Sequence, residues 1–402
     1  MSASAASPIG STPAAPLWLL VLVTLSGTMA MHIFVPALTL AGQALGASAS
    51  SMQQTITLYM VGLAVGQLIY GPVSDVTGRR PALLLGLGIY LSASLVALFA
   101  TTVEVLSAAR LLQALGGAAG LSLGRAIVRD TATPARVTKD LALLNLLALV
   151  GPGLAPILGS YLASDFGWRA IYVFLVIFGC AALGLSVWRL PETNVQQRTL
   201  QLGALTNGYA QLLFNRRFAG FTLGGACCSS VLFPYLATVS YIVHEQMGLP
   251  IQSIGWFAAV TIAGAGLGTL LTRRLSGTRP PEFFLTLGVG LQMAVAVLFV
   301  AVYGLGWLNP AWLVGITVTM TMGAGIAGPA ALGRAMGVVP SMSGSAAGIY
   351  GFNQMAMGAL STFLVGYGRD PVVACAVTQF ALALVALGCF RWAKTAATPT
   401  VA

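Results

Sequence analysis

Twelve apolar runs, each close to 20 residues long, divide this chain and leave it few folds to choose from. They lie near 16–38, 51–73, 82–101, 105–128, 138–163, 169–189, 217–242, 253–275, 282–304, 311–333, 343–366 and 372–392. A helix that crosses a bilayer needs about 20 apolar residues. Of the 402 residues 57% are hydrophobic and 7% charged, against about 25% charged in a soluble domain. Lipid is the solvent that suits such a surface. The expected fold is an all-α membrane protein of twelve transmembrane helices. The 48 glycines agree with it, because small residues let helices approach closely in lipid.

The longest polar connection runs from about Leu190 to Arg216, after the sixth run. It predicts two pseudo-symmetric six-helix bundles over 16–190 and 217–392, joined by a cytoplasmic linker over 191–216. Residues 1–15 read as a disordered cytoplasmic tail and 393–402 as a second tail. The first fifteen residues hold no Lys or Arg and do not resemble a secretory leader, so the first span is expected to be retained.

The net charge of +10 invites a nucleic-acid reading, and its distribution rejects it. If the spans alternate, Arg79, Arg80, Arg129, Arg136, Lys139, Arg189, Arg273, Arg274, Arg334 and others share one side. Arg169 and Arg369 fall on the other. This positive-inside bias places both termini in the cytoplasm and makes the surplus topological. The five cysteines lie within spans without a histidine at metal spacing, and read as packing residues. No phosphate-binding loop and no nucleophile–base set is present, so neither an ATP-driven pump nor an enzyme is expected.

The connection Gly71-Pro72-Val73-Ser74-Asp75-Val76-Thr77-Gly78-Arg79-Arg80-Pro81 reads as a charged, turn-rich link between the second and third runs. Gly277-Thr278-Arg279-Pro280 echoes it about 199 residues on, which points to a duplicated transporter. The first segment resembles the loop 2–3 signature of the major facilitator superfamily. With Leu58-Tyr59-Met60 and Gly66-Gln67 it resembles the Bcr/CflA branch of drug:proton antiporters, which includes bicyclomycin and amphenicol exporters. Arg110-Leu111-Leu112-Gln113-Ala114 resembles the family's fourth-helix motif, and Val128-Arg129-Asp130 its usual end. Ala155-Pro156-Ile157-Leu158-Gly159-Ser160, with Gly167-Trp168-Arg169, is similar to the antiporter motif of helix 5. Ala155 and Ser160 replace two of its glycines, and Gly151-Pro152-Gly153 upstream offers similar flexibility. The resemblance implies conformational roles for Gly71, Gly78, Pro152, Pro156 and Gly159. It implies a cytoplasmic gate of Asp75, Arg79, Arg80 and Asp130, in which an Arg79 or Arg80 contact with Asp130 holds the two bundles in one state.

Branch members usually carry Asp four residues before the helix-1 proline; here that position is His32, four before Pro36. Thr24, Thr28 and His32 stand at i, i+4 and i+8 and form one polar stripe. An ionisable group inside a span is costly and normally faces a cavity or a partner. Histidine titrates near pH 6.5, so His32 is expected to be the proton carrier. A neutral packing histidine is the alternative. Arg110 is expected to be a cavity cation that senses protonation or substrate; its alternative is an interfacial arginine paired with Glu104. Tyr59, Gln113, Asn145, Tyr235, Asn353 and Gln354 join Thr24 and Thr28 as cavity candidates. Pro234 and Gly224-Gly225 should make helix 7 deformable.

The expectation is a monomeric, multi-pass protein of the bacterial inner membrane, whose partners are the lipid bilayer, protons and a small-molecule substrate, with no nucleic acid. It exports small molecules in exchange for protons, with a proton gradient in place of any cofactor. No carboxylate lies at mid-span, so neutral, zwitterionic or anionic substrates are favoured over cations. Export of an endogenous metabolite or metallophore, or proton-coupled import, is the rival on the same fold.

Overall fold

The computed structural model describes residues 15–131, 137–194, 210–276, 278–338 and 343–395. The predicted tail over 1–15 apart from Ala15, most of the linker and the chain beyond Thr395 lie outside the described residues.

In the first half the spans are α1 (Leu17–Leu45), α2 (Ala49–Thr77), α3 (Arg79–Leu98), α4 (Val103–Thr131), α5 (Val137–Phe166) and α6 (Arg169–Arg189). The second half holds α7 (Arg216–Gln246), α8 (Ile251–Leu275), α9 (Pro281–Gly304), α10 (Pro310–Val338), α11 (Ser343–Val365) and α12 (Pro371–Thr395). Ten of these are long and apolar enough to cross a membrane. The others, α5 and α11, are 30 and 23 residues long. Large apolar side chains such as Leu85, Phe99, Ile177 and Val297 cover the outer surface, as a lipid-facing wall requires.

Proline sets the breaks. Helix α1 stops at Ile33, passes through a 3-10 turn over Val35–Ala37 and resumes at Leu38. Pro36 has no N–H for the carbonyl of His32, which the Phe34 amide takes instead, and the Ala30 carbonyl is left without its helical donor. Helix α7 breaks at Ser230–Val231, four residues before Pro234, where the ring meets the preceding turn. It ends in a π-turn over Tyr241–Gln246. The predicted link at 71–81 is mostly helix instead: α2 continues through Pro72 to Thr77, and Gly78 alone separates it from α3. The hydroxyls of Ser74 and Thr77 bond back to the carbonyls of Gly71 and Val73 and carry the turn. Likewise α4 runs to Thr131, so Asp130 sits in its last turn.

Close glycine contacts fix both halves in one register. Gly62 and Gly66 admit the α4 backbone around Leu111 and Leu115, and Gly86 admits α4 at Gly116. Gly264, Gly268 and Gly288, each 202 positions later, admit α10 around Val318, Met322 and Gly323. The duplication therefore has a register of 202, not the 199 of the loop echo. The difference sits in the connections: α8 ends at Leu275, and five residues precede α9 where one precedes α3.

The halves meet through α2 against α11 and α5 against α8, with the ends of α1 and α7 between them. Hydrogen bonds across this seam gather towards the face that carries the α1–α2 turn. Thr57 meets Thr362 at 2.8 Å, Gln53 donates to the Ala237 carbonyl at 3.3 Å, and Thr39 meets Ser240 at 3.3 Å. The opposite face carries the arginine-rich connections.

Candidate transport site

Arg110 stands two turns into α4 and is fully buried. Its Nη1 donates to the Ala30 carbonyl at 2.7 Å and to Gln113 Oε1 at 3.0 Å. Ala30 lies in the last turn before the Pro36 break, where carbonyls lack helical partners. The guanidinium lies 4.0 Å from the Tyr59 ring centroid and 5.2 Å from that of Phe34, a cation–π box. Gln113 Nε2 donates to Ser94 Oγ at 2.8 Å, and the Tyr59 hydroxyl to the Gly27 carbonyl at 2.7 Å. Arg110 Nε and Nη2 and the hydroxyls of Tyr90 and Tyr172 are buried without partners. No carboxylate pairs with Arg110 among the described residues, Glu104 included. Two unfilled donors on a buried cation are costly, and such a site is poised to respond to charge.

His32 is buried too, at 6% exposure, and does not face lipid. Its Nδ1–H donates to the Thr28 carbonyl at 2.7 Å, which fixes the ring and leaves Nε2 as the free nitrogen. Thr28 is half-buried with an unpartnered hydroxyl, near Gly151 of α5. Thr24, on the same stripe, bonds the Leu20 and Gly120 carbonyls at 2.7 and 3.2 Å. It packs α1 on α4 rather than lining a hollow, because close contact at Gly120 and Gly124 turns that part of the stripe inward. Tyr59 and Gln113 likewise belong to the Arg110 box, not to a cavity wall.

The other cavity candidates separate. Asn353 and Gln354 are half-buried on α11, and no side-chain hydrogen bond ties them among the described residues. Tyr235 is buried inside the second half, beside Thr261 and Thr317, which bond each other at 2.9 Å. The side chain of Asn145 lies outside the described residues.

The antiporter-like segment of α5 is wedged between two partners. Gly159 lets α5 touch the α1 backbone at Ile33, next to His32. On its other side Gly255 of α8 packs on the Pro156 carbonyl, Ile157 and the Ser160 hydroxyl. Pro152 and Pro156 both lie inside the helix. One short segment of α5 thus touches α1 beside His32 and α8 across the seam.

The predicted gate forms differently from expectation. Arg79 bonds Asp75 at 2.6 Å and Asp130 at 2.9 Å, so the arginine chosen is Arg79 and all three residues belong to the first half. The cluster ties α2, α3 and α4 together and does not bridge the bundles. Arg80 turns away, donating to the Val187 carbonyl at 2.8 Å at the end of α6. Sequence reasoning missed Glu192, which lay in the presumed linker. Its carboxylate accepts the amides of Arg79 at 2.9 Å and Arg80 at 3.1 Å, capping α3. Asn194 follows it onto the Ser74 and Asp75 carbonyls. Gly78 adopts φ +99°, and a Cβ there would stand 2.5 Å from Glu192 Oε2. Gly71 has no such constraint, since a Cβ would meet nothing within 4 Å.

Comparison with known proteins agrees with this architecture. A family profile described as Major Facilitator Superfamily matches residues 20–362. Over 311 residues the chain is 33% identical to a chloramphenicol resistance protein of Pseudomonas aeruginosa, covering 73% of this chain and 71% of the relative. Multidrug resistance protein D of Escherichia coli is 30% identical over 349 residues, 83% of this chain and 84% of the relative. Among solved structures, a bacterial homologue of the human lysosomal transporter Spinster, inward-facing and unoccupied, superposes with a TM-score of 0.71. It covers 96% of this chain and 98% of that one at 13% identity, a likeness of fold alone.

Proposed function

Because the chain belongs to the Major Facilitator Superfamily, we propose that it exports small drug-like molecules in exchange for protons, by alternating access between its two six-helix bundles. Relatives with drug-resistance names support the direction and the substrate class. In this reading the arginine-rich face is cytoplasmic, both termini lie on it, and the membrane is the bacterial inner membrane. The seam bonds at Thr39, Gln53 and Thr57 then close the periplasmic side, and the conformation faces inward. One chain suffices as the working unit.

The observation that carries the reading is the junction at Ile33, where His32, the Pro36 break and the Gly159 contact coincide. A proton arriving from the periplasm binds His32 Nε2 and sets a second positive charge near Arg110. Two cations in a low-dielectric interior repel strongly. Arg110 has unfilled donors and, among the described residues, no counter-ion to absorb the change, so α1 shifts against α5, and α5 carries the shift to α8. Cytoplasmic release of the proton resets it. With His32 and Arg110 but no carboxylate at mid-span, neutral, zwitterionic and anionic molecules are admitted in preference to cations. Exchange of one proton for a neutral substrate moves one charge, which adds about 2.3 kcal/mol per 100 mV of membrane potential.

The test is transport in proteoliposomes under an imposed pH gradient. His32→Gln should abolish gradient-driven export, and His32→Asp should retain part of it. A wild-type rate in the glutamine variant removes His32 from the carrier role. A panel of charged and neutral drugs checks the substrate class, and strong export of a permanent cation contradicts it.

A further inference from the structure

A hollow of about 1030 Å³ opens at the arginine-rich end of the second half, among the ends of α7, α8, α9 and α10. Five arginines line it: Arg216 and Arg217 from the start of α7, Arg273 from the end of α8, Arg279 from the α8–α9 connection and Arg334 from α10. Among the described residues one carboxylate answers them, Glu282, paired with Arg334. The Nε atoms of Arg217 and Arg334 are buried and unpartnered. Phe221, Phe284 and Pro329 form an apolar wall beside them.

Topology asks only that cations stay on this face. Arg274, next in the chain, meets that demand without lining the hollow. That five arginines line one hollow is a further fact: Arg216, Arg273 and Arg279 reach solvent, Arg217 and Arg334 keep buried, unpartnered Nε atoms, and a bound anion would relieve the like charges. The first half shows the contrast. At the corresponding corner Asp75, Asp130 and Glu192 occupy Arg79 and the α3 amides. The second half has the cations there and lacks that set of acids. The α7 amides are already capped by Asn215 Oδ1, at 3.0 Å to Arg217 N and 3.1 Å to Phe218 N, so the unmet demand lies in the side chains.

Planar guanidinium forks match phosphate oxygens bidentately. We propose that this hollow binds a phosphoryl anion between Arg217, Arg273 and Arg279, supplied by the headgroup of an anionic phospholipid whose glycerol end rests on the apolar wall. The site is independent of the transported substrate and of the proton carrier.

The experiment uses the full chain, purified in detergent and delipidated. Phosphatidylglycerol, phosphatidylcholine of the same acyl length, and inorganic phosphate are each added back. Native mass spectrometry counts retained lipid, and thermal midpoints report stabilisation. The variants are Arg217→Gln, Arg273→Gln and Arg279→Gln, taken singly so that folding survives. Arg274→Gln is the control of equal charge change outside the hollow. The expected result is retention of phosphatidylglycerol over phosphatidylcholine, weakened at least tenfold in each hollow variant and unchanged in the control. Stabilisation by inorganic phosphate alone, lost in the same variants, would keep the site and assign it a soluble source. Equal lipid retention in wild type and hollow variants, or equal loss in the control, overturns the proposal.

Discussion

Gly78→Ala is the sharpest test of the corner where α2, α3 and α6 meet. Two separate costs arise from one methyl group. The backbone at φ +99° and ψ 153° is a region open almost only to glycine, so any Cβ is strained by about 1–3 kcal/mol. The same Cβ would stand 2.5 Å from Glu192 Oε2 and push the carboxylate off the Arg79 and Arg80 amides. Loss of a helix cap costs about 0.5–2 kcal/mol, and the exposure of Glu192 puts the value at the low end. The sum is about 1.5–3.5 kcal/mol. Cys227, Cys228 and Cys375 are buried, so with the exposed Cys180 and half-buried Cys389 replaced by Ser a thiol-reactive dye that fluoresces on labelling reports unfolding. For a bundle of this size the midpoint should fall by about 5–10 °C. Glu192→Ala alone should lower it far less. The double variant Gly78→Ala with Glu192→Ala should fall short of the sum of the single effects, because the clash is gone and the backbone strain remains. A Gly78→Ala midpoint within 1 °C or so of wild type, against the shift expected from this strain, would show that neither cost operates.

Arg110→Lys should abolish transport while the protein still folds, because an ammonium cannot reproduce the planar stack on Tyr59 together with bonds to Ala30 and Gln113; uptake assays and the dye-based midpoint separate the two. Thr57→Cys with Thr362→Cys places two thiols where hydroxyls meet at 2.8 Å, so mild oxidation should cross-link the halves and stop transport until a reductant is added. Gly71→Ala should leave the midpoint almost unchanged, within about 1 kcal/mol, since its Cβ enters open space; a drop as large as that of Gly78→Ala would contradict the packing described.

The all-α membrane fold was legible because lipid allows almost nothing else to long apolar runs, although ten rather than twelve of the described helices are long and apolar enough to cross a membrane. The expectation of a six-plus-six division came from one long polar connection. Contacts were harder. A stripe at i, i+4 and i+8 says that Thr24, Thr28 and His32 share a face, but not which neighbour that face meets. The contact of α1 with Gly120 decided it for Thr24, and the contact with Gly159 for the end of the stripe. The Gly71–Thr77 segment reads as a turn on aqueous propensities. In the fold it is helix, and the hydroxyls of Ser74 and Thr77 donate to the Gly71 and Val73 carbonyls within it. Glu192 was hidden by distance: it closes a contact across 113 residues, and nothing near it in sequence marks the bare amides it caps.

The two halves share a packing register but not a chemistry. At the 202-residue offset Tyr59 maps to Thr261 and Tyr90 to Gln292, and the matching offset between α4 and α10 sets Thr317 opposite Arg110. Where the first half stacks a guanidinium on a phenol, the second half joins two hydroxyls at 2.9 Å. Where Tyr90 leaves its hydroxyl unpartnered, Gln292 is held by the Cys228 carbonyl at 2.9 Å and by the Cys228 thiol at 3.2 Å. At these matching positions the first half thus buries a guanidinium with unfilled donors, and the second half holds neutral, bonded pairs. A fully satisfied polar core resists rearrangement, while a partly satisfied one has alternatives close in energy. In the proposed cycle the first half is therefore where a proton does its work, and the second responds as a body through the Pro156–Gly255 contact. Gly255→Ala tests that division. It should slow transport by forcing α5 and α8 apart, at a cost of about 1–3 kcal/mol in stability, while Arg110, Tyr59 and Gln113 keep their bonds. A variant that transports at the wild-type rate would mean that the coupling runs elsewhere.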